Sequence, residues 1–183
     1  MQASTQNPQA KYLTPAVEEL KTLVEGKLQH RFADSLISTT IDYDFPVFVV
    51  KREILADVLE YLYNDADLSF QFLTTLATTH SPEKTGSELC VMYQLHNLLK
   101  NTRIRIKTYL PISDPKVRTV THIFAAANWM ERQEYDFFGV IFEGHPNLKR
   151  ILNMDEMNYH PMLKQYKLED ATREDKDNSF FGR

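Results

Sequence analysis

Apolar positions recur at helical spacing in two segments of the first third of the chain. The first segment carries Val17, Leu20, Val24 and Leu28. It follows Thr14, which favours an N-cap, and Pro15, which suits the first helical position, so a helix is predicted over 15–29. The second segment carries Ile54, Leu55, Val58, Leu59 and Leu62. Their spacing predicts another helix over 52–64.

β-Branched and aromatic residues cluster between and after these helices and predict three strands. The predicted ranges are 36–42, 46–50 and 69–77. A loop is expected from His80 to Ser87, because Pro82 and Gly86 are turn-forming residues.

Two further strands are predicted from the alternation of apolar and polar side chains. The first is marked by Leu89, Val91, Tyr93 and Leu95. After a turn at Asn101, the second strand alternates Ile104 and Ile106 with basic residues. These are Arg103, Arg105 and Lys107. We interpret this basic strand face as solvated sheet surface, with nucleic-acid binding as the alternative.

Helical spacing returns between Thr119 and Phe137. One or two helices are expected over 118–138, closed by Gly139 as a C-cap, and a short strand is expected from Val140 to Phe142. The resulting order is α-β-β-α-β-β-β-α. Short connections between adjacent strands favour an α+β fold, with an antiparallel or mixed sheet covered by helices on one face.

Local composition divides the chain into three parts. Residues 1–12 are polar and predict a disordered N-terminal arm, and residues 13–143 form the α+β core domain. Residues 144–183 contain prolines and the charged run Glu169–Asp177. They are expected to form an extended C-terminal arm that docks on partner subunits, because they cannot easily build a core of their own.

Composition narrows the possible functions. The 183 residues carry a net charge of −4, which argues against a strongly basic nucleic-acid binder. The single cysteine, Cys90, cannot form an internal disulfide or supply the thiolates of an ordinary iron–sulfur cluster. It is expected to be a small core residue in a strand. The five glycines lack the spacing of a dinucleotide-binding or phosphate-binding loop.

The densest polar cluster runs from Glu131 to Asp136. On a helix, Arg132 and Asp136 lie one turn apart and can pair, as can Glu131 and Tyr135. Three interpretations remain open for this cluster. Glu131 and Glu134 could form a carboxylate pair for acid–base catalysis, the residues could be a solvated charged face, or the face could dock on another subunit.

Trp129 and two His-Pro pairs flank or follow this cluster. Trp129 is expected in the core, although tryptophan is also enriched at interfaces. His145-Pro146 and His160-Pro161 lie 15 residues apart across a loop, unlike the close helical spacing of a metal-binding pair. Each pair is expected to fix a turn, with its imidazole hydrogen-bonded to backbone or to a partner.

The stretch from Asn128 to Leu168 resembles the signature region of the 30 kDa subunit family of respiratory complex I, whose bacterial members are called the C subunit. The family shows Asn-Trp, then Glu-Arg-Glu, an aromatic residue and Asp, two apolar residues and Gly. Gly-His-Pro, Leu, Arg-Arg and Ile-Leu follow. This chain contains NWMERQEYDFFGVIFEGHPNLKRIL, which carries nearly every element. The resemblance covers most of residues 40–168.

The chain also departs from the family pattern. Gln133 stands where the family usually has Glu, and Lys149 replaces the first arginine of the pair. Lysine keeps the charge but loses the planar fork of the guanidinium. The family's arm commonly has His-Pro-Leu-Arg-Lys-Asp-Tyr-Pro-Leu, whereas His160 to Leu168 has HPMLKQYKL, without the arginine and the aspartate.

The resemblance implies a structural subunit of NADH–quinone oxidoreductase, which couples electron transfer from NADH to quinone with proton translocation. It implies peripheral-arm partners, the complex I subunits D, B and I, on the cytoplasmic side of the bacterial inner membrane. The first of these partners helps form the quinone cavity and is called the quinone-cavity subunit below. The whole complex would contain FMN, iron–sulfur clusters, NADH and a quinone, but this chain would hold no cofactor, metal or catalytic residue. The residues expected at subunit interfaces are Trp129, Glu131, Arg132, Glu134, Tyr135, Asp136, Gly139, His145, Pro146, Arg150, His160, Pro161, Lys164 and Tyr166.

Three other hypotheses stay open on the sequence alone. The chain could be the equivalent subunit of a related membrane-bound hydrogenase or of a dehydrogenase complex with another electron donor. It could be a stand-alone enzyme that uses Glu131 and Glu134. It could also bind nucleic acid through the basic strand face formed by Arg103, Arg105 and Lys107.

Overall fold

The computed structural model of the chain describes residues 15–33 and 35–166. Its α-helices are α1 (Pro15–Arg31), α2 (Leu55–Asn64) and α3 (Ala127–Phe138), and a short 3-10 helix at Arg52–Ile54 leads into α2. Its strands are β1 (Leu36–Asp42), β2 (Phe45–Val50), β3 (Phe72–His80), β4 (Leu89–Asn97), β5 (Thr102–Leu110), β6 (Lys116–Arg118) and β7 (Ile141–Glu143). The expected N-terminal arm, 1–12, and the end of the C-terminal arm, 167–183, lie outside the described residues.

Five of the strands form one mixed sheet in the order β1-β2-β5-β4-β3. β2 runs parallel to β5, with Phe48 opposite Ile106, and the other neighbours in this sheet are antiparallel. β6 and β7 pair in parallel as a small separate sheet. The predicted α+β fold with a mixed sheet is therefore confirmed.

The alternation along β4 and β5 places one face of the large sheet in the core. Val91, Tyr93 and Ile106 are fully buried on this face. They belong to the same apolar cluster as Leu28 of α1 and Leu59 of α2. Each large aliphatic side chain buried in this way stabilises the fold by roughly 1.5–3 kcal/mol, so the helices hold the sheet mainly through this face.

The opposite face of the sheet carries the basic positions of β5. The Arg105 guanidinium lies 4.4 Å from the ring centroid of Phe45, and Lys107 pairs with Asp42 at 3.1 Å. Two of the three basic side chains are therefore engaged within the domain. Cys90 is half-buried on this same face rather than in the main core, although it lies in a strand as expected.

The start of β3 differs from the sequence prediction. The strand begins at Phe72 rather than near 69 and extends to His80. Ser69 has a left-handed φ of 44°, and its backbone N–H donates to the carbonyl of Asp65 at 2.8 Å. This turn after α2 delays the strand by three residues.

The start of α3 also differs, because no helix forms over 118–126. Residues 116–118 form β6 instead, and Thr119 donates its backbone N–H to Glu143 of β7 at 2.9 Å. Helix α3 begins at Ala127. Gly139 ends it with a φ of 78°, which confirms the predicted C-cap. Among the described residues, no helix has the length and apolar character needed to cross a membrane.

Candidate functional site

Helix α3 turns its acidic side chains inward. Glu131, Glu134 and Asp136 are buried although they are charged residue types, and α3 packs on strand β3 at the edge of the sheet. The interpretation of this cluster as a solvated charged face is therefore wrong for these three residues. Each carboxyl group has a distinct set of partners.

Glu131 connects α3 to the turn that precedes it. Its carboxylate accepts a hydrogen bond of 2.5 Å from the Thr119 hydroxyl and one of 2.8 Å from the backbone N–H of Val120. Burial raises the pKa of Glu131 to about 7, against the opposing effect of these two hydrogen bonds. The carboxyl group therefore fixes the turn that leads into α3.

Glu134 lies one turn further along and faces β3. Burial raises its pKa to about 6. One carboxylate oxygen accepts a hydrogen bond of 3.3 Å from Gln133. The hydroxyl and the backbone N–H of Thr78 both approach the Glu134 carboxyl group and oppose the rise in its pKa, at a geometry looser than that of an ordinary hydrogen bond.

Asp136 organises the first part of the C-terminal arm. One of its oxygens accepts hydrogen bonds from the backbone N–H groups of Ile151, Leu152 and Asn153, at 2.9–3.1 Å. The other binds the Arg150 guanidinium at 2.7 Å and the Asn153 side-chain amide at 3.0 Å. Burial alone would raise the pKa of Asp136, but these donors hold it well below its usual value.

Arg150 extends this network through carbonyl groups. Its guanidinium donates to the carbonyl of Asp136 at 3.1 Å, to that of Met157 at 2.7 Å and to that of Tyr159 at 2.9 Å. Arg150 and Asp136 are both almost fully buried. A planar guanidinium can serve these separate acceptors at once, so the segment 144–166, called the arm segment below, is folded around one ion pair.

Arg132 and Asp136, which helical spacing would allow to pair, bind other partners. Arg132 instead donates to the carbonyls of Lys149 and Arg150, at 3.1 and 3.3 Å, and its guanidinium lies 4.9 Å from the ring centroid of Trp129. The two residues lie one turn apart, but Asp136 faces the domain and Arg132 faces outward. The expected contact between Glu131 and Tyr135 is also replaced, since Glu131 binds the turn before α3.

The two His-Pro histidines bind backbone groups, as predicted. His145 contacts the Asn128 carbonyl through Nε2 at 3.1 Å and the Asn147 N–H through Nδ1 at 3.0 Å. Nδ1 of His160 lies 3.0 Å from the carbonyl of Asp136. The His160 ring also meets the Tyr135 ring edge-on, with the ring centroids 5.7 Å apart. Pro146 and Pro161 follow these histidines in the irregular arm segment.

Gly139 is required where the His160 ring crosses the end of α3. A Cβ atom built on Gly139 would lie 2.7 Å from Cδ2 and 2.9 Å from Nε2 of His160, and φ is 78°. Gly139→Ala is therefore expected to lower the free energy of unfolding by about 2–4 kcal/mol, through the left-handed backbone and the displaced ring. Thermal and urea unfolding of the purified chain would measure this.

Gly86→Ala is the matched control for that substitution. Gly86 has a similar φ of 81°, but a Cβ atom there would meet no atom of the described residues within 4 Å. The control should lose only the backbone contribution, about 1–2 kcal/mol. Equal losses in the two variants would show that the contact with His160 contributes nothing.

The outer side of α3 and the arm segment expose apolar side chains. Trp129 is 64% exposed, so the prediction of a core position is wrong. The arm segment exposes Leu152, Met154, Tyr159, Met162 and Tyr166. Its end lies back on the domain, because the Lys164 N–H donates to Nδ1 of His80 at 3.0 Å. Tyr166 and Tyr159 contact each other, with their ring centroids 4.8 Å apart.

The structure brings together most of the residues singled out in the sequence, and it adds others. Thr119, His80 and Asn153 take part in the contacts of α3 and the arm segment but were not predicted. No local pattern marks His80 or Thr119, because their partners lie far along the chain. The described residues include no group of three or more His, Cys, Asp or Glu side chains that could hold a metal ion.

The fold and this site define a class of protein, an α+β domain that presents a C-terminal segment anchored to its last helix by a buried ion pair. Residues 48–172 match the family model described as "Respiratory-chain NADH dehydrogenase, 30 Kd subunit". The chain belongs to this family, whose members are subunits of an oxidoreductase complex.

Curated relatives carry a consistent name, the C subunit of NADH-quinone oxidoreductase. The chain is 33% identical over 165 residues to this protein of Mycolicibacterium smegmatis, covering 90% of this chain and 68% of that one. It is 39% identical over 121 residues to the protein of the same name from Nocardioides sp., covering 66% and 48% of the two chains. The chain therefore spans about half to two thirds of the length of these relatives.

Solved structures show the same fold. A trypsin-resistant fragment of Nqo5 aligns with a TM-score of 0.58 and 27% identity, over 68% of this chain and 98% of that chain. A chain of the membrane-bound sulfane sulfur reductase, an archaeal respiratory membrane complex, aligns with a TM-score of 0.68 over 82% and 86% of the two chains. Its identity of 24% supports a shared fold alone.

Proposed function

We propose that this chain is a non-catalytic structural subunit of the peripheral arm of an NADH–quinone oxidoreductase, and that α3 and the arm segment bind neighbouring subunits. The supporting observation is that a buried ion pair holds an irregular segment whose apolar side chains face outward. The ion pair holds the arm segment in one shape before any partner binds. A binding surface benefits from this, because a preorganised segment loses less conformational entropy on association.

The geometry of the acidic residues favours this role over acid–base catalysis. Glu131 and Glu134 have raised pKa values, which a general acid or base needs. Both are enclosed, however, and Glu131 is committed to Thr119 and Val120. A catalytic carboxyl group has to reach a substrate, and these two carboxyl groups face the interior of the domain.

The partners proposed for the surface are the complex I subunits D, B and I of the peripheral arm. We further propose that the chain itself holds no cofactor, and that FMN, the iron–sulfur clusters, NADH and the quinone are bound elsewhere in the complex. The location proposed is the cytoplasmic side of the bacterial inner membrane, through these partners. The names of the curated relatives support the assignment to a complex of this type.

A second candidate keeps the fold and changes the complex. The chain shares its fold with a chain of the sulfane sulfur reductase complex. This likeness favours a second candidate function, in which the chain is the equivalent subunit of a related membrane-bound hydrogenase or of a dehydrogenase complex with another electron donor. Purification of the native complex from membranes distinguishes the two candidates. NADH-dependent quinone reduction by the purified assembly supports the first candidate, and a complex without NADH-oxidising subunits supports the second.

Trp129→Ala tests the proposed surface. Exposed tryptophans that become buried at an interface often contribute 2 kcal/mol or more, so the Kd for the purified quinone-cavity subunit should rise by about 30-fold. The stability of the isolated chain should hardly change, because the indole is mainly exposed. Calorimetric titration with the quinone-cavity subunit measures the first effect and urea unfolding measures the second.

Leu99→Ala is the control for that experiment. Leu99 is 94% exposed in the turn between β4 and β5, away from α3, and its truncation should leave the Kd unchanged. Equal affinity of wild type and Trp129→Ala for the quinone-cavity subunit would contradict the proposed surface. A stoichiometric flavin or iron–sulfur cluster on the purified chain would contradict the structural role itself.

A further inference from the structure

The two edges of the five-stranded sheet, β1 and β3, differ in what covers them. Helix α3 packs on β3, the Glu134 carboxyl group lies against the backbone N–H of Thr78, and the end of the arm segment bonds to His80. Within the described part of the chain, β1 has β2 as its only strand neighbour, and α1 lies on the core face. The outer edge of β1 is therefore the open edge of the described sheet.

The register of the β1–β2 hairpin shows which backbone groups of β1 point away from β2. Ile41 lies opposite Pro46, which has no N–H to donate. Hydrogen-bonded and non-hydrogen-bonded positions alternate in an antiparallel pair, so Thr39 and Ile41 both hold non-hydrogen-bonded positions. Their two N–H and two carbonyl groups therefore face outward. None of these groups bonds to another backbone group of the described residues.

The sequence of β1 favours pairing with a further strand. The residues from Ser38 to Ile41 have hydroxyl or β-branched side chains. They include neither the lysine nor the proline that often shields an open edge. A β-bulge at Ile37 interrupts the regular register and limits the open run to 38–42. The hydroxyl oxygen of Thr39 is also buried without a hydrogen-bond partner among the described residues.

We propose that β1 accepts a short β-strand from another subunit of the complex, and that this strand extends the sheet beyond β1. Two donors and two acceptors in a row are the main-chain pattern that an added strand satisfies. Its side chains beside Thr39 and Ile41 lie on the face that carries α1 and are expected to be aliphatic. Those beside Ser38 and Thr40 lie on the opposite face and are expected to be small and polar. The proposal rests on the proposed function only in that the chain is a subunit of a larger assembly.

The size of the open edge favours a strand from another subunit over a second copy of this chain. The run 38–42 spans about 17 Å at about 3.3 Å per residue. Two such edges alone bury far less than the roughly 800 Å² per partner of a stable interface. A strand from a subunit that is held elsewhere in the complex needs no such area of its own.

This contact is separate from the proposed surface of α3 and the arm segment. β1 and β3 are opposite edges of the sheet, about 19 Å apart across four strand spacings. The chain would therefore contact its neighbours at both edges of the sheet, through side chains at one edge and through backbone groups at the other.

Amide hydrogen exchange at single-residue resolution tests the proposal, on the free chain and on the purified complex that contains it. In the free chain, the N–H groups of Thr39 and Ile41 should exchange at least about 100-fold faster than that of Thr40, which faces β2. In the complex, the exchange of Thr39 and Ile41 should slow by at least about 100-fold. Protection of both alternate residues is the pattern that an added strand produces.

Thr39→Pro removes one outward N–H and places a ring at the edge, while the bonds to β2 stay. It should lower the yield of assembled complex at least about tenfold, because two or more backbone hydrogen bonds are lost. Ser38→Ala is the control, since it leaves every backbone group in place, and it should leave the yield unchanged. The exchange comparison uses wild-type protein, so it decides even if Thr39→Pro fails to fold.

Unchanged exchange of Thr39 and Ile41 in the complex would overturn the proposal. So would their protection in the free chain. Protection that rises with protein concentration would indicate a second copy, and protection at every concentration would indicate other residues of this chain. A complex that protects these amides but does not reduce quinone with NADH would contradict the proposed function and leave this proposal standing.

Discussion

Replacing Asp136 with asparagine is expected to lower the free energy of unfolding by about 3–5 kcal/mol and to detach the arm segment from α3. Removing one member of a buried ion pair leaves the other charge uncompensated, and Arg150 is almost fully buried. The new amide would also point a donor group at Arg150 or at the N–H groups of Ile151, Leu152 and Asn153. Urea unfolding measures the stability, and amide hydrogen exchange of residues 150–164 reports the detachment.

Asp155→Asn is the control for Asp136→Asn. Asp155 lies in the same segment but is exposed, so its neutralisation should change stability by less than about 0.5 kcal/mol. The low pKa of Asp136 also fixes a direction with pH. The contribution of Asp136 to folding stability is fully present above the pKa of this group in the unfolded chain, which is near 4. It is lost as the pH falls towards the lower pKa of the folded chain. If the Asp136→Asn chain keeps wild-type protection from hydrogen exchange at residues 150–164, Asp136 does not anchor the arm segment.

The wild-type chain is expected to lose folding stability as the pH rises from about 4.5 to 7. Replacing Glu131 with glutamine is expected to remove most of this loss. The folded pKa of about 7 lies above the ordinary value of 4.5, so the folded chain holds a proton that the unfolded chain has released. Stability therefore falls as the pH rises through this window, by about 3 kcal/mol for this group. Glutamine is neutral throughout, and its amide can still accept from Val120 and donate to Thr119.

Urea unfolding at pH 5 and at pH 8 measures this effect. The wild-type chain should be less stable at pH 8 than at pH 5. The free energy of unfolding of Glu131→Gln should be nearly the same at both pH values, apart from the smaller contribution of Glu134, whose pKa is about 6. Glu156→Gln is the control, because Glu156 is exposed in the arm segment. Parallel pH profiles for wild type and Glu131→Gln would mean that the carboxyl group is ionised in the folded chain at low cost.

Most of the regular elements were predictable because their signals are local. The helical spacing around Val24 and Leu28 corresponds to α1, and the alternation from Leu89 to Leu95 corresponds to β4. The covalent geometry of a helix or strand imposes these periods on any sequence that buries one face. Gly139 was also predictable as a cap, since a left-handed residue is common after the last turn of a helix.

The inward orientation of the acidic residues was not predictable in the same way. Charged residue types in a row indicate a solvated helix face unless their partners are known, and the partners of Glu131 and Asp136 lie 11 to 17 residues away. The same limitation explains Trp129, because composition alone suggests burial while its ring lies on the surface with Arg132. The division of the chain into a core domain, 13–143, and an arm, 144–183, stays a prediction.

The position of β2 in the sheet has a consequence for the chain as it leaves the ribosome. β2 is the most apolar strand, and its inner neighbour β5 is made only after about 50 further residues. Until then, β1 covers one edge of β2, and the other edge offers unpaired N–H and carbonyl groups beside Val47, Phe48 and Val49. Exposed edges of this composition favour pairing with other chains, so nascent β2 is the segment most prone to aggregation before β5 arrives.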